Sequence, residues 1–168
     1  MIDKKTCKIA HIPIIEEIAK GLKWAGMNEA YLELGIARAR CFNRVSTYFT
    51  HSVAVDRSAD SLKNITVQCD KNDMTTDDYF RQNYHERTKF NLIFIDARHR
   101  YENVKRDFDN SWEYLAKFGI ILIHDTFAPS KEWEKHTLDC WKIQNHLDER
   151  KIKYITFPFY FGLTVVRK

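Results

Sequence analysis

The chain has 168 residues, 44% hydrophobic and 30% charged, which suits one globular domain around one core. Its net charge of +4 is too mild to demand nucleic acid, and no run of about 18 apolar residues is present to span a membrane. The four cysteines, Cys7, Cys41, Cys69 and Cys140, form no CxxC pair, which disfavours zinc, and the opening MIDKKTCKIAHIP has no signal-peptide core, so a reducing, cytoplasmic setting is expected.

Strand-like and helix-like segments alternate along the chain, the pattern of an α/β domain with a mostly parallel sheet. Ile14 to Lys23 reads as a leading helix, and Ala30 to Leu34 (AYLEL) as the first strand, stopping at Gly35. Arg38 to Phe49 reads as a helix whose Arg38, Arg40 and Arg44 form a solvated face. Ser52 to Val55 is the second strand, ending at Asp56, and Asp60 to Lys63 is one helical turn. The apolar run Ile65 to Cys69 reads as the third strand, with Cys69 a reduced core residue. Thr76 to Asn83 is a short helix capped by Thr75 or Thr76.

Phe90 to Ile95 is the fourth strand. Arg100 to Lys117 carries the clearest helical pattern, with Tyr101, Val104, Phe108, Trp112 and Leu115 on one face. Gly119 stands where a helix end wants a residue at positive φ. Ile120 to His124 is the fifth strand, and Leu138 to Glu149 a helix that puts Trp141 in the core. Trp133 lies in a segment positioned to cover a cleft. Lys153 to Phe157 and Gly162 to Arg167 close the chain. The link between them, Pro158 to Phe161, is too short for a crossover helix, so they pair antiparallel.

The fourth and fifth strands end in Asp96 and Asp125. A right-handed crossover sets both at the carboxyl edge of the sheet, where open α/β sheets bind ligands. Two such carboxylates suit a hard cation such as Mg²⁺; alternatively, one of them only caps a helix. His99 and His124 lie within three residues of these aspartates and titrate near neutral pH, so each is a candidate base. Arg98 and Arg100 flank His99 and are candidates to meet an anionic substrate. Gly35 either lets backbone pass close to a cofactor or marks a plain strand-to-helix turn. The loop is not GxGxxG, because Ala37 replaces the second glycine, which disfavours a dinucleotide. Asp56, 21 residues on, can accept from both hydroxyls of a ribose, so the pair favours a nucleoside-bearing cofactor.

The segment Phe94-Ile95-Asp96-Ala97-Arg98-His99-Arg100-Tyr101-Glu102-Asn103-Val104 continues in register through Asp107, Asn110-Ser111, Leu115, Gly119, His124-Asp125 and Pro129. Together with Met74-Thr75-Thr76-Asp77-Asp78-Tyr79-Phe80, it resembles class I S-adenosylmethionine-dependent methyltransferases. The likeness is to the small branch with macrocin-type sugar O-methyltransferases and cephalosporin-hydroxylase-like proteins. It covers roughly Ala30 to Lys168. The chain departs from that pattern at Ala39, Ala97 and Phe118, where the family has glycine, and at Cys41, where it has serine.

The resemblance implies a Rossmann-like fold over residues 1–168 as a single domain, with a seven-stranded, mostly parallel sheet, an antiparallel C-terminal hairpin and helices on both faces. It implies that Glu33, Gly35 and Ile36 line the methionine end of S-adenosylmethionine. Asp56 would hold the ribose, Asp73 and Met74 would lie near the adenine, and Asp96 would contact the cofactor. Asp96 and Asp125, with Thr126, match positions that carry a divalent metal in metal-dependent members. The function expected is metal-assisted O-methylation of a small hydroxylated, sugar-like acceptor, with Asp96 and His99 or His124 catalytic. The alternatives are a metal-independent methyltransferase and a degenerate binding module on the same fold. Nucleic acid is disfavoured, because Asp96-Ala97-Arg98-His99 replaces the (D/N)PP(Y/F)-like motif of amino-methylating enzymes. So many aromatics in a small domain also leave a homodimer open.

Overall fold

Each strand alternates side chains between two apolar layers, and those layers decide where the helices pack. The computed structural model describes residues 11–83, 88–128, 130–131, 137–159 and 161–168. The elements run α1 (His11–Trp24), β1 (Ala30–Leu34), α2 (Arg40–Val45), β2 (His51–Asp56), α3 (Ala59–Lys63), β3 (Asp70–Asp73), α4 (Thr76–Gln82), β4 (Phe90–Ile95), α5 (Tyr101–Tyr114), β5 (Leu115–His124), α6 (Ile143–Glu149), β6 (Tyr154–Phe157) and β7 (Leu163–Arg167). Short 3₁₀ turns at Ser46–Tyr48 and Cys140–Lys142 follow α2 and precede α6.

The strands form one sheet in the order β3-β2-β1-β4-β5-β7-β6. Strands β1 to β5 pair parallel, and β7 runs antiparallel to both β5 and β6. The expected Rossmann-like sheet with a terminal hairpin is therefore present. One face carries Ile15, Ala19 and Leu22 of α1, Phe42 and Val45 of α2 and Leu62 of α3, packed on Tyr31, Phe94 and Leu122. The other carries Tyr79 and Phe80 of α4, Val104 and Phe108 of α5 and Ile143 and Leu147 of α6, packed on Leu32, Ile93 and Ile123. Burying a side chain such as Phe108 contributes about 1.5–3 kcal/mol. Among the described residues, no helix is long and apolar enough to cross a membrane.

Several boundaries differ from the sequence reading. The third strand is the polar Asp70–Asp73, not Ile65 to Cys69. It is an edge strand held by backbone pairing to β2, while Ile65, Val67 and Cys69 pack into the helical layer outside it. Cys69 is half-buried at that margin. Helix α5 stops at Tyr114, and Leu115 already pairs with Phe90 in the sheet. The positive φ expected at Gly119 falls on Phe118, at 64°. The pattern that the chain resembles has glycine at that position, and a side chain there carries a strain of about 1–2 kcal/mol. Trp141 is half-buried, and its neighbours Cys140 and Ile143 enter the core instead. Trp133, Cys7 and Pro129 lie outside the described residues.

Candidate active site

The carboxyl ends of β1, β2 and β4 are tied edge to edge by backbone hydrogen bonds. The Gly35 amide donates to Val55 O at 2.9 Å, and the Asp96 amide donates to Leu34 O at 2.8 Å. Gly35 has φ 90°, and a Cβ built there would sit 2.3 Å from Asp96 O and 2.6 Å from Ala97 Cα. Glycine is thus demanded by the neighbouring protein backbone, in addition to any cofactor. Asp56 ends β2 and turns its carboxylate back onto the same loop. It accepts from the amides of Ile36 at 2.8 Å and Ala37 at 3.2 Å, and from Ser58 at 2.8 Å. A carboxylate has about four acceptor positions, so one remains for a ligand hydroxyl.

A cleft of about 660 Å³ opens over this edge. That is within the range of small-molecule sites, roughly 300–1,000 Å³. Gly35, Asp56, Met74, Asp96, His99, His124 and Asp125 all line it. The sequence therefore named much of its wall. Ile36 is buried behind the loop, Glu33 is buried beneath it, and Asp73 is exposed at the end of β3; none of these three lines the cleft. Arg98 lines it and Arg100 does not. Thr126 is buried, and its hydroxyl accepts from Thr164 Oγ1 at 2.8 Å, turned into the sheet's threonine pair with Thr156.

Asp96, His124 and Asp125 converge at the cleft floor. His124 Nδ1 lies 3.2 Å from Asp96 Oδ1 and 3.1 Å from Asp125 Oδ1. Neither His124 Nδ1 nor Asp125 Oδ1 makes an aligned hydrogen bond among the described residues, and both are buried. His99 Nδ1 grips the other oxygen of Asp125. Asp125 itself is held at φ 59°, a strained conformation of the kind that collects at functional sites. Burial opposes charge on both His124 and Asp125, but the ion pairs prevail. They raise His124 to about 10 and hold Asp125 well below the carboxylate range. His99 is also raised, chiefly by its bond to Asp125. Without a bound ion, then, His124 is not a free base at neutral pH, and His99 is shifted in the same direction.

His11 was not singled out from the sequence. The first turn of α1 sets its ring 4.2 Å from that of His124 and 6.0 Å from that of Phe94. Burial and the adjacent His124 lower it to about 4, so it is the neutral imidazole of the cleft. No local pattern marks it, because only the packing of α1 on the sheet brings it there. Asp107, inside the matched segment but given no role, also lines the cleft. It accepts from Thr76 Oγ1 at 2.6 Å, and burial lifts it to about 6.

Glu33 accepts from the Tyr31 hydroxyl in the layer below. Burial raises it from 4.5 to about 8, against the Tyr31 hydrogen bond and with help from the Asp96 charge. An acid raised on folding binds its proton more tightly in the native state, so its ionisation weakens the fold. Relative to the parent, Glu33→Gln is expected to gain stability as pH rises from 4.5 to about 8, with no further gain above. At about 1.4 kcal/mol per pH unit, the gain is at most roughly 5 kcal/mol. Denaturation midpoints of both proteins across that range would reveal it; a constant difference would place Glu33 in its charged form.

A family model described as a methyltransferase domain matches residues 28–126. A protein of Sinorhizobium fredii described as uncharacterized protein y4gI is 31% identical over 78 residues. That alignment takes in 46% of this chain and 8% of the relative, so the chain spans under a tenth of that protein's length. Among solved structures, an O-methyltransferase from Bacillus cereus in complex with SAH superposes with a TM-score of 0.73 at 12% identity, covering 93% of this chain and 81% of that one. The O-methyltransferase TomG of Streptomyces achromogenes, involved in tomaymycin synthesis and in complex with SAM, gives 0.71 at 10% identity, covering 92% and 79%. At these identities the superpositions establish the fold.

Proposed function

The chain belongs to the methyltransferase-domain family, and on that premise we propose that it is an S-adenosylmethionine-dependent O-methyltransferase acting on a small hydroxylated, sugar-like acceptor with the help of a divalent ion. The observation that carries this is the cleft, with the Gly35 loop and Asp56 at one part of its wall and the Asp96–His124–Asp125 cluster at another. The residues fit both groups. The backbone at Gly35 leaves no room for a side chain, and Asp56 keeps an acceptor position toward the cleft. Asp125 Oδ1 and His124 Nδ1, both buried and without an aligned hydrogen bond, are atoms that a cation would take up on displacing the proton of His124. The sugar-like acceptor rests on the macrocin-type resemblance of the segment from Phe94 to Asp125.

S-adenosylmethionine would supply the sulfonium methyl, and the ion Lewis acidity toward the acceptor hydroxyl. The chain supplies orientation. Asp56 accepts a ribose hydroxyl while its other acceptor positions hold the amides of Ile36, Ala37 and Ser58 in place. Asp96 and Asp125, rigidly set on adjacent strand ends, fix the acceptor relative to the methyl, and such positioning is a large share of catalysis in two-substrate reactions. His11, neutral and lining the cleft, can accept a hydrogen bond from the acceptor hydroxyl.

Ala39 and Phe118 adopt left-handed backbone without glycine, and Ala97 is not among the residues at positive φ. These departures leave the cleft open, which favours a working site over a degenerate one. A metal-independent transfer is the second reading, favoured by the His124 imidazolium lying between the two carboxylates. Calorimetric titration with S-adenosylhomocysteine, followed by turnover of hydroxylated acceptors with and without chelator, tests the proposal. Micromolar binding with chelator-sensitive turnover is expected; absent binding would overturn the methyltransferase reading, and chelator-insensitive turnover the metal's part in it.

A further inference from the structure

The cluster at the cleft floor is not the all-oxygen site that the sequence suggested. One carboxylate oxygen from each of Asp96 and Asp125 and one ring nitrogen of His124 lie within 4.8 Å of one another. His124 and Asp125 are at least nine-tenths buried there, and His124 Nδ1 and Asp125 Oδ1 have no hydrogen-bond partner among the described residues. Thr126, the expected third oxygen, has its hydroxyl bonded to Thr164, and its carbonyl accepts from Gln144 Nε2 at 2.7 Å. Asp125 cannot chelate through both oxygens while His99 holds Oδ2. Two single carboxylate oxygens and one imidazole are what remain.

Resting on the reading of this cleft as metal-assisted, we infer that its ion is a first-row transition metal of the Fe²⁺–Co²⁺–Zn²⁺ class, bound through His124, and not Mg²⁺. Mg²⁺ is hard, demands near-ideal octahedral oxygen geometry and sheds water reluctantly. An imidazole donor suits softer ions, which tolerate mixed nitrogen and oxygen ligands. The surroundings match such a ligand. His124 is clamped between the His11 ring and the strand ends, and His99 orients Asp125 from outside the donor set. His11 extends the site beyond the region the family model matches, since it precedes residue 28.

The test uses the full chain stripped of metal, titrated with Co²⁺, Mn²⁺ and Mg²⁺ by calorimetry. Even an all-oxygen site binds Co²⁺ more tightly than Mn²⁺, in the Irving–Williams order, so affinity alone does not decide. Two readouts do. Loading with Co²⁺ is expected to give a hyperfine-shifted imidazole N–H resonance, the signature of a histidine ligand. His124→Asn is expected to weaken Co²⁺ roughly 10- to 100-fold or more while changing Mg²⁺ by less than about threefold. Co²⁺ bound without an imidazole signal overturns the inference, as does Mg²⁺ binding as tightly as Co²⁺, or no ion binding at all. The resonance is read on the parent protein, so a misfolded variant does not blunt the test. S-adenosylhomocysteine titrated into the same sample separates the two levels: tight cofactor binding beside a failed metal test sinks this inference alone.

Discussion

Gly35→Ala is expected to abolish S-adenosylhomocysteine binding and to cost more than about 3 kcal/mol of stability. The new Cβ would lie 2.3 Å from Asp96 O and 2.6 Å from Ala97 Cα, both backbone atoms that no rotamer change can move. At φ 90° the alanine is also in a region that L-residues avoid. Relief requires the ends of β1 and β4 to separate. That breaks the Asp96–Leu34 hydrogen bond and shifts Asp96 away from the cleft floor. Urea denaturation and calorimetry on the variant would show both losses. Cofactor affinity within threefold of the parent would mean that this edge yields far more easily than its packing implies. Ala37→Gly, in the same loop but exposed at φ 47°, is the matched control and should bind normally.

Asp125→Asn is expected to remove divalent-ion binding and to lower turnover by about 100-fold or more, with cofactor affinity unchanged within about threefold. The carboxylate is paired to the buried His124 and the half-buried His99, so the amide leaves both imidazoles short of a partner. Losing one member of a buried pair costs roughly 3–5 kcal/mol, most of it while the histidines are charged. The histidines' raised values set the direction: their contribution is complete below 6.5 and is lost as pH rises through about 10 for His124. The destabilisation by Asp125→Asn should therefore be greatest near pH 6 and shrink in alkali. Ion titration, cofactor titration and denaturation at two pH values separate these effects. Loss of cofactor affinity together with ion affinity would show that Asp125 holds up the whole floor.

The central strands were legible because both their faces are buried. Phe90–Ile95 and Ala30–Leu34 match the expected ranges, and Ile120 to His124 forms the paired end of β5. Edge strands were not legible. Asp70–Asp73 is polar because only its backbone is needed, whereas the apolar run before it serves the layer outside the sheet. The end of α5 was misplaced for a related reason. Leu115 satisfies a helical pattern, yet pairing with Phe90 is available to it and prevails. Of the expected ligands, the aspartates at strand ends were placed correctly by connectivity alone. Thr126 differs, because the direction of a side chain beyond a strand end depends on its neighbours across the sheet, here Thr164.

Local pattern is enough for the α/β alternation, the ends of the central strands, the antiparallel closing pair and the sharing of one edge by Gly35, Asp56, Asp96 and Asp125. These follow from local periodicity and from the handedness of crossovers, both of which are written in neighbouring residues. Long-range packing set the insertion of β7 between β5 and β6, the place of Glu33 beneath the floor and that of His11 in the cleft wall. It also decided that Asp96, His124 and Asp125 meet at the floor and that burial and charge act together on the histidines there. Those properties depend on burial and on charges brought together from distant parts of the chain, which no local pattern encodes.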